Sequence, residues 1–309
     1  MLQCFRPVRA WVCLAMRAIA VTMAVAPAAP AHGAMPSPEF QQAVRAATFE
    51  VVVPKATDDS LTYEKPLPLE LVPYAERNDA YWSIGSAVAV GSNMFVSAAH
   101  VIVAGVGRPG RAPALRDASG AVHAIDRILG FSLYEDYVVF SLRQPPSTLQ
   151  PLGTSDAATI DDIVFAAGNA LGEGIVIRDG LLTSLTPEPR HGEWKHLRYS
   201  AATSPGNSGG PLLDAQGRVL GIVVAKSPGE NLNYAVPIAR ALQSSRREAV
   251  IEVYGPYGSP LLRNNAVVDF RRTFALPASY AEFAERLQAA MLYYHKLASA
   301  QLYAEHASE

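Results

Sequence analysis

Between Phe49 and Ile238, hydrophobic positions come in short runs, either alternating with polar ones or unbroken, separated by Gly, Pro, Asn and Asp. "FEVVV", "SIGSAVAV", "MFVSAAH", "YVVFSL", "IVFAAG", "VLGIVVA" and "YAVPIA" are examples. They are too short for helices and too apolar for loops, so each reads as a strand. Many short strands at close spacing predict an all-β barrel or sandwich, and the 190-residue span suits two small β-barrels. Residues 55–80, rich in Pro, Glu and Asp, read as a long surface loop.

The period changes after about Gln243. "AVIEVYG" reads as one more strand, and from Ser279 the pattern becomes helical. Ser279 and Glu282 form a Ser-x-x-Glu capping box two residues after Pro277, which marks a helix start. Tyr280, Phe283, Leu287, Met291, Tyr294 and Leu302 fall on one stripe, the face expected to dock on the barrels. Leu292, Tyr293, Leu297 and Tyr303 lie off that stripe and are expected to stay exposed. A second copy of the chain is the simplest surface to cover them, which makes a homo-oligomer through this helix an expectation.

Composition adds a leader to this picture. Residues 1–33 carry only Arg6, Arg9 and Arg17 as charges, followed by the apolar "AIAVTMAVAPAAPA" and small residues before Ala31 or Ala34. That is the form of a secretory signal peptide, and the run is too broken by Pro27 and Pro30 for a comfortable membrane span. Without it, 23 basic side chains (26 − 3) face 28 acidic ones, a net of −5, which suggests no nucleic-acid partner. Both cysteines, Cys4 and Cys13, also lie in the leader. The mature chain therefore has no thiol, which excludes a disulfide scaffold, a thiol enzyme and a cysteine-metal site. A periplasmic or secreted protein follows, with no integral membrane span once the leader is gone. The expected organisation is a signal peptide over 1–33, a two-barrel domain over 45–245, and an extension over 246–309.

The candidate chemistry begins at "TSPGNSGGPLLDAQGRVLGI", which sets Ser208 among glycines just ahead of an apolar run. Glycine lets the main chain turn through positive φ and bring its N–H groups close to another molecule. That is what an oxyanion hole needs, though a plain glycine turn between strands would look the same. A base and a carboxylate would distinguish the two. His191 and His196 sit in a polar loop, His123 in another, and His295 and His306 on the terminal helix. His100 differs: it ends "MFVSAAH", where Ala98 and Ala99 leave room for the imidazole. Asp136 directly abuts the strand "YVVFSL", which favours it over Asp126 and Glu135 as the carboxylate.

The order His100, Asp136, Ser208 is that of chymotrypsin-like proteases. "FVSAAHV" resembles the histidine motif of the trypsin superfamily, "EDYVVFSL" the aspartate motif and "SPGNSGGPLLDAQGRVLGI" the serine motif. "AAGNALGEGIVIRDGLLTSL" is similar to the Gly-Asn-Pro-x-Gly segment of the bacterial HtrA/Deg proteases, with Ala170 in place of the proline. "NLNYAVPIA" resembles their final barrel strand. The resemblance covers about residues 45–242 and implies a chymotrypsin-like double β-barrel with a C-terminal helical extension.

It also implies roles. His100 would be general base and then acid, Asp136 its orienter and Ser208 the nucleophile, with the backbone of Gly206, Asn207 and Ser208 as oxyanion hole. Such an enzyme takes protein or peptide substrates and needs no metal or organic cofactor. Ala202 and Thr203, with Leu232 and Tyr234 from a nearby loop, would shape a substrate pocket without a carboxylate, suited to small or medium apolar residues. Two departures matter. Asn207 stands where zymogen-type members carry an aspartate, so activation by a freshly cut N-terminus is not expected. Only 69 residues follow Arg240 (309 − 240), and they read as strand and helix rather than the PDZ domain that HtrA proteases usually carry. A silent homologue that binds peptides in the old cleft, or an esterase, remains the alternative.

Overall fold

The computed structural model describes residues 36–55, 79–106, 112–226, 230–243, 247–254, 256–257, 266–267 and 269–306. The leader, and all but the ends of the 55–80 loop, lie outside them. Strand β1 (Thr48–Pro54) is followed by β2 (Tyr81–Gly91), β3 (Met94–Ser97), β4 (Ala114–Arg116), β5 (Val122–Ser132) and β6 (Tyr137–Leu142). They close in the antiparallel order β1-β2-β3-β6-β5-β4. A second closed barrel follows, from β7 (Ile163–Asn169), β8 (Ile175–Pro187), β9 (Lys195–Tyr199), β10 (Pro211–Leu213), β11 (Val219–Lys226) and β12 (Asn233–Pro237).

Burial explains why several of these strands are apolar on both faces. Along β6, Val138 and Phe140 point into the first barrel, where Phe140 stacks on Phe95 and Phe95 meets the edge of Phe49. Tyr137 and Val139 point the other way and pack with Phe165, Leu213, Ile222 and Val236 of the second barrel. A strand wedged between two cores loses its polar face. Each large side chain taken from water there contributes about 1.5–3 kcal/mol, so the two barrels form one block.

Ahead of β1 lies α1 (Pro38–Ala47), which the strand patterning did not foresee. Ser37 caps it, its Oγ accepting from Phe40 N at 3.2 Å, and the Phe40 ring packs on Phe165. Two five-residue helices, α2 (Ala99–Val103) and α3 (Ile238–Leu242), follow β3 and β12.

Beyond α3 the chain goes back to the first barrel. Strand β13 (Glu248–Val253) runs parallel to the end of β5, pairing Ala249 with Phe131 and Val250 with Ser132. Residues β14 (Pro256–Tyr257) and β15 (Ala266–Val267) pair as a two-stranded ribbon. Strand β16 (Phe270–Ala275) flanks β13 over six antiparallel pairs, and β17 (Ala278–Ser279) pairs with β5. Helix α4 (Tyr280–His306) opens with the capping box: Ser279 N donates to Glu282 Oε2 at 3.0 Å, and Glu282 N to Ser279 Oγ at 3.3 Å. Its Phe283, Leu287, Tyr294 and Ala298 are buried in the first barrel's core cluster. Among the described residues no helix is long and apolar enough to cross a membrane.

Candidate active site

His100 does not end a strand. Strand β3 stops at Ser97, and His100 is the second residue of α2, whose turn closes through Ala104 N donating to His100 O at 3.2 Å. A helix this short leaves no periodic signal in sequence. Ala98 and Ala99 are both fully buried, so α2 sits tight on the barrel while the imidazole faces outward, 46% exposed. Asp136 closes the turn between β5 and β6 with a φ of 56°. That left-handed conformation is uncommon outside glycine, though aspartate tolerates it better than most. Its carboxylate holds His100 twice, Oδ2 on the ring Nδ1 at 2.7 Å and Oδ1 accepting the backbone N–H at 2.9 Å. Two oxygens on one residue fix both the position of α2 and the plane of the ring. Glu135 is instead paired with Arg240 at 3.0 Å.

Ser208 comes from the second barrel, on the loop between β9 and β10, and its backbone is bonded to β2. Ser86 of β2 donates its N–H to Ser208 O at 2.8 Å. One residue earlier, a side chain at Gly85 would strike Val101, the neighbour of His100, and crowd Ser208 O. The Ser86 hydroxyl donates to Gly206 O (2.7 Å) and accepts from Asn169 N (2.8 Å), while Ser86 O accepts from Ser97 Oγ (2.7 Å). One buried serine thus ties the ends of β3 and β7 to the loop that carries Ser208.

That loop has the backbone shape expected of it. Gly206 has a φ of 100°, and a side chain there would press onto the Asn169 carbonyl. Among the three residues expected to form an oxyanion hole, Asn207 already donates its N–H to Ser204 O at 3.0 Å. Gly206 and Ser208 make no such bond among the described residues, which leaves these two as the free donors. The Asn207 side chain is fully buried and finds no hydrogen-bond partner among the described residues. A neutral amide tolerates that dry position far better than an aspartate would.

Sequence reasoning missed the support beneath the loop. Leu171 N donates to Pro205 O (2.8 Å), and Asn169 Oδ1 accepts from Gly174 N (2.7 Å). Asn169 Nδ2 donates to Glu50, whose other oxygen takes Arg116 Nε at 2.5 Å, and Arg116 Nη1 reaches Asp79 at 2.7 Å. Burial pulls the Asp79 pKa up, but the Arg116 bond and Tyr81 N–H outweigh it and hold the carboxyl below its ordinary range. Glu50 could have been singled out as a lone charge inside the apolar run "FEVVV".

A crevice of about 350 Å³ opens beside Ser208, lined by Thr203, Ser204, Pro205, Val223, Val224 and Ala225. No charged side chain lines it among the described residues. Thr203, one of the four pocket candidates, is in this lining, its Oγ1 donating to Asn233 Oδ1 at 2.6 Å. The other three pocket candidates lie outside this lining. Ala202 is exposed, Leu232 is half-buried just before β12, and Tyr234 packs on His196. A strand's alternation explains Tyr234, which faces away from the side on which Asn233 meets Thr203. His196 itself lies between Tyr234 and Trp194, and burial pushes its pKa down against the pull of Glu188 and Glu135. His123 bonds Asp117 and Gln144 O.

With this geometry described, the comparisons with known proteins are informative. Residues 85–222 match the family model of the trypsin-like peptidase domain. That match covers just under half of the chain and lies within the double barrel. Several of the curated proteins it is similar to are of the HtrA/Deg type. It is 32% identical over 132 residues to the putative serine protease HhoA of Synechocystis, covering 38% of this chain and 33% of that protein. To the probable periplasmic serine endoprotease DegP-like of Chlamydia trachomatis it is 28% identical over 117 residues, 36% of this chain and 24% of that one. The matched stretch spans about a third or less of these relatives. A solved structure titled HtrA-type protease AlgW with decapeptide superposes with a TM-score of 0.54 at 19% identity, over 74% of this chain and 78% of that one, and shows the shared fold.

Proposed function

We propose that this protein is an exported serine endopeptidase that cuts peptide bonds through His100, Asp136 and Ser208 and an acyl-enzyme. The observation that carries it is the two-oxygen hold of Asp136 on His100, with the serine loop bonded to β2 at Ser86 and both Val101 and Ser208 O against Gly85 of that strand. With Nδ1–H bonded to Asp136, Nε2 is the basic nitrogen and takes the Ser208 proton as Oγ attacks the scissile carbonyl. The Gly206 and Ser208 N–H groups receive the developing oxyanion, each such donor contributing about 3–4 kcal/mol in other proteases. His100 then protonates the leaving amine, and water repeats the sequence on the ester.

The basic, apolar, small-residue order of residues 1–33 supports export to the periplasm or beyond. The relative in Chlamydia, described as probably periplasmic, agrees. The exposed face of α4 supports a homo-oligomer. The uncharged crevice supports cleavage after small or medium apolar residues, since an Arg, Lys or Glu side chain would lie there unpaired at a cost of several kcal/mol.

Two measurements test this. Ser208→Ala removes the nucleophile with the loss of one atom, so casein hydrolysis and fluorophosphonate labelling are expected to fall by at least about 10⁴-fold with the circular dichroism unchanged. Undiminished hydrolysis by the folded variant would remove the mechanism. A peptide-library profile is expected to show cuts mainly after Ala, Val, Ile or Leu, and cuts mainly after Arg, Lys or Glu would refute the pocket assignment.

A further inference from the structure

The turn that presents Asp136, residues 133–136, touches its own barrel through Leu133 and through the bonds of Asp136 to His100. Within the turn, Glu135 N donates to Ser132 Oγ at 3.1 Å. Its other contacts come from elsewhere. Leu133 N donates to Val250 O of β13 at 2.9 Å, continuing the parallel pairing of Val250 with Ser132. The Tyr134 ring meets the edge of Tyr254, just past β13, at 5.0 Å, and its hydroxyl donates to Glu188 of the β8–β9 turn. Glu135 receives two bonds of 3.0 Å from Arg240 of α3, with the side chains only 11% and 20% exposed.

Leu133 packs against the first barrel's core, and the bonds just described hold the rest of the turn. A cleft of about 690 Å³ lies between the turn and the extension, walled by Tyr134, Glu135, Arg240, Val250 and Tyr254 among others. A residue held at positive φ persists only where its surroundings over-determine it. Here those surroundings include Val250 of β13, Tyr254 and Arg240, beside Glu188 and the core under Leu133. Strand β13 is fixed in turn by its six pairs with β16, and α4 clamps the end of β5 through Phe283, whose ring contacts Phe131 at 4.8 Å and Phe274 at 5.9 Å.

We infer that the C-terminal extension and α3 together brace the catalytic aspartate: β13 with Tyr254 from the extension, and Arg240 from α3, hold the 133–136 turn so that Asp136 keeps both of its bonds to His100. Arg240 and Tyr254 are positioning residues, acting through the turn and touching neither substrate nor the reacting atoms. The inference rests on the protease assignment for its catalytic consequence, but not for its geometry.

The test uses the full-length chain with Arg240→Gln, Arg240→Lys and Tyr254→Ala. The first loses the forked pairing, the second keeps charge and one bond, and the third removes a half-buried ring without opening a core. For Arg240→Gln and Tyr254→Ala, kcat is expected to fall roughly 10- to 100-fold with KM changed less than about twofold, because a small misplacement of a catalytic group acts on the transition state. Arg240→Lys is expected to recover part of the loss. The proton between His100 Nδ1 and Asp136 is expected to give a low-field resonance in the wild type, one that broadens or vanishes in Arg240→Gln and Tyr254→Ala. Hydrogen exchange at the Leu133 amide should accelerate with it. Wild-type kcat with an unchanged low-field resonance in both variants would overturn the inference. A wild type that shows the resonance and its loss in the variants, yet hydrolyses nothing, would end the protease assignment and leave the brace standing.

Discussion

Glu188 bears a negative charge where solvent hardly reaches it, at 3% exposure. Burial alone would raise its pKa, but the Tyr134 hydroxyl and the N–H groups of Arg190, His191 and Gly192 outweigh that, and the carboxyl is held at about 2. The folded-state pKa is thus depressed from 4.5, so the group's stabilisation is complete above 4.5 and lost as pH falls towards 2. Thermal unfolding is expected to show the melting midpoint dropping through that window. Glu188→Gln should flatten the drop and cost about 1–3 kcal/mol at pH 7, since three amides lose a charged acceptor. A variant with the wild-type pH profile would show that these bonds carry little. Nothing around Glu188 in the sequence announces this, because its key partner Tyr134 lies 54 residues away. Ser86 was hidden for the same reason, its partner Gly206 being 120 residues distant, whereas Glu50, 119 residues from Asn169, was marked by its charge inside an apolar run. His100, Asp136 and Ser208 could be picked out because each sits in a local motif that resembles a known one.

Among the elements, α4 was the most legible, since its cap and stripe are local and 3.6-periodic. The four off-stripe residues are the exposed ones: Leu292 at 54%, Tyr293 at 44%, Leu297 at 41% and Tyr303 at 76%. Deleting the helix would tear Phe283 and Leu287 out of the core, so point changes test the proposed second copy better. Leu292→Glu with Leu297→Glu leaves the buried face intact. Light scattering is expected to show an oligomer for the wild type and a monomer for the double variant, and a monomeric wild type would remove the idea. Strands β4, β10 and β17 went unread because they are two or three residues long and exist by pairing, not by propensity. Helix α1 was missed because the strand patterning began only at Phe49, although Ser37 and Pro38 are good start signals.

At the scale of the molecule, the double barrel could be expected from strand spacing and motif resemblance, but the path of the last sixty residues could not. A strand and a helix were foreseen. That the strand would lie parallel to β5, next to the Asp136 turn, depends on contacts across more than a hundred residues. The outer edge of the added sheet, β16, carries Arg271 and Arg272, exposed charges of the kind that discourage strand-to-strand association. The placement of β13 also sets an order in time. A chain emerging from its N-terminus presents His100, Asp136 and Ser208 first, and Val250 only 42 residues after the serine (250 − 208). Both barrels have all their strands before then, while the aspartate's turn still lacks its outer neighbour. If Asp136 acts as proposed, the site is completed only after both barrels, and a half-emerged chain would not yet cut itself or the apparatus that releases it.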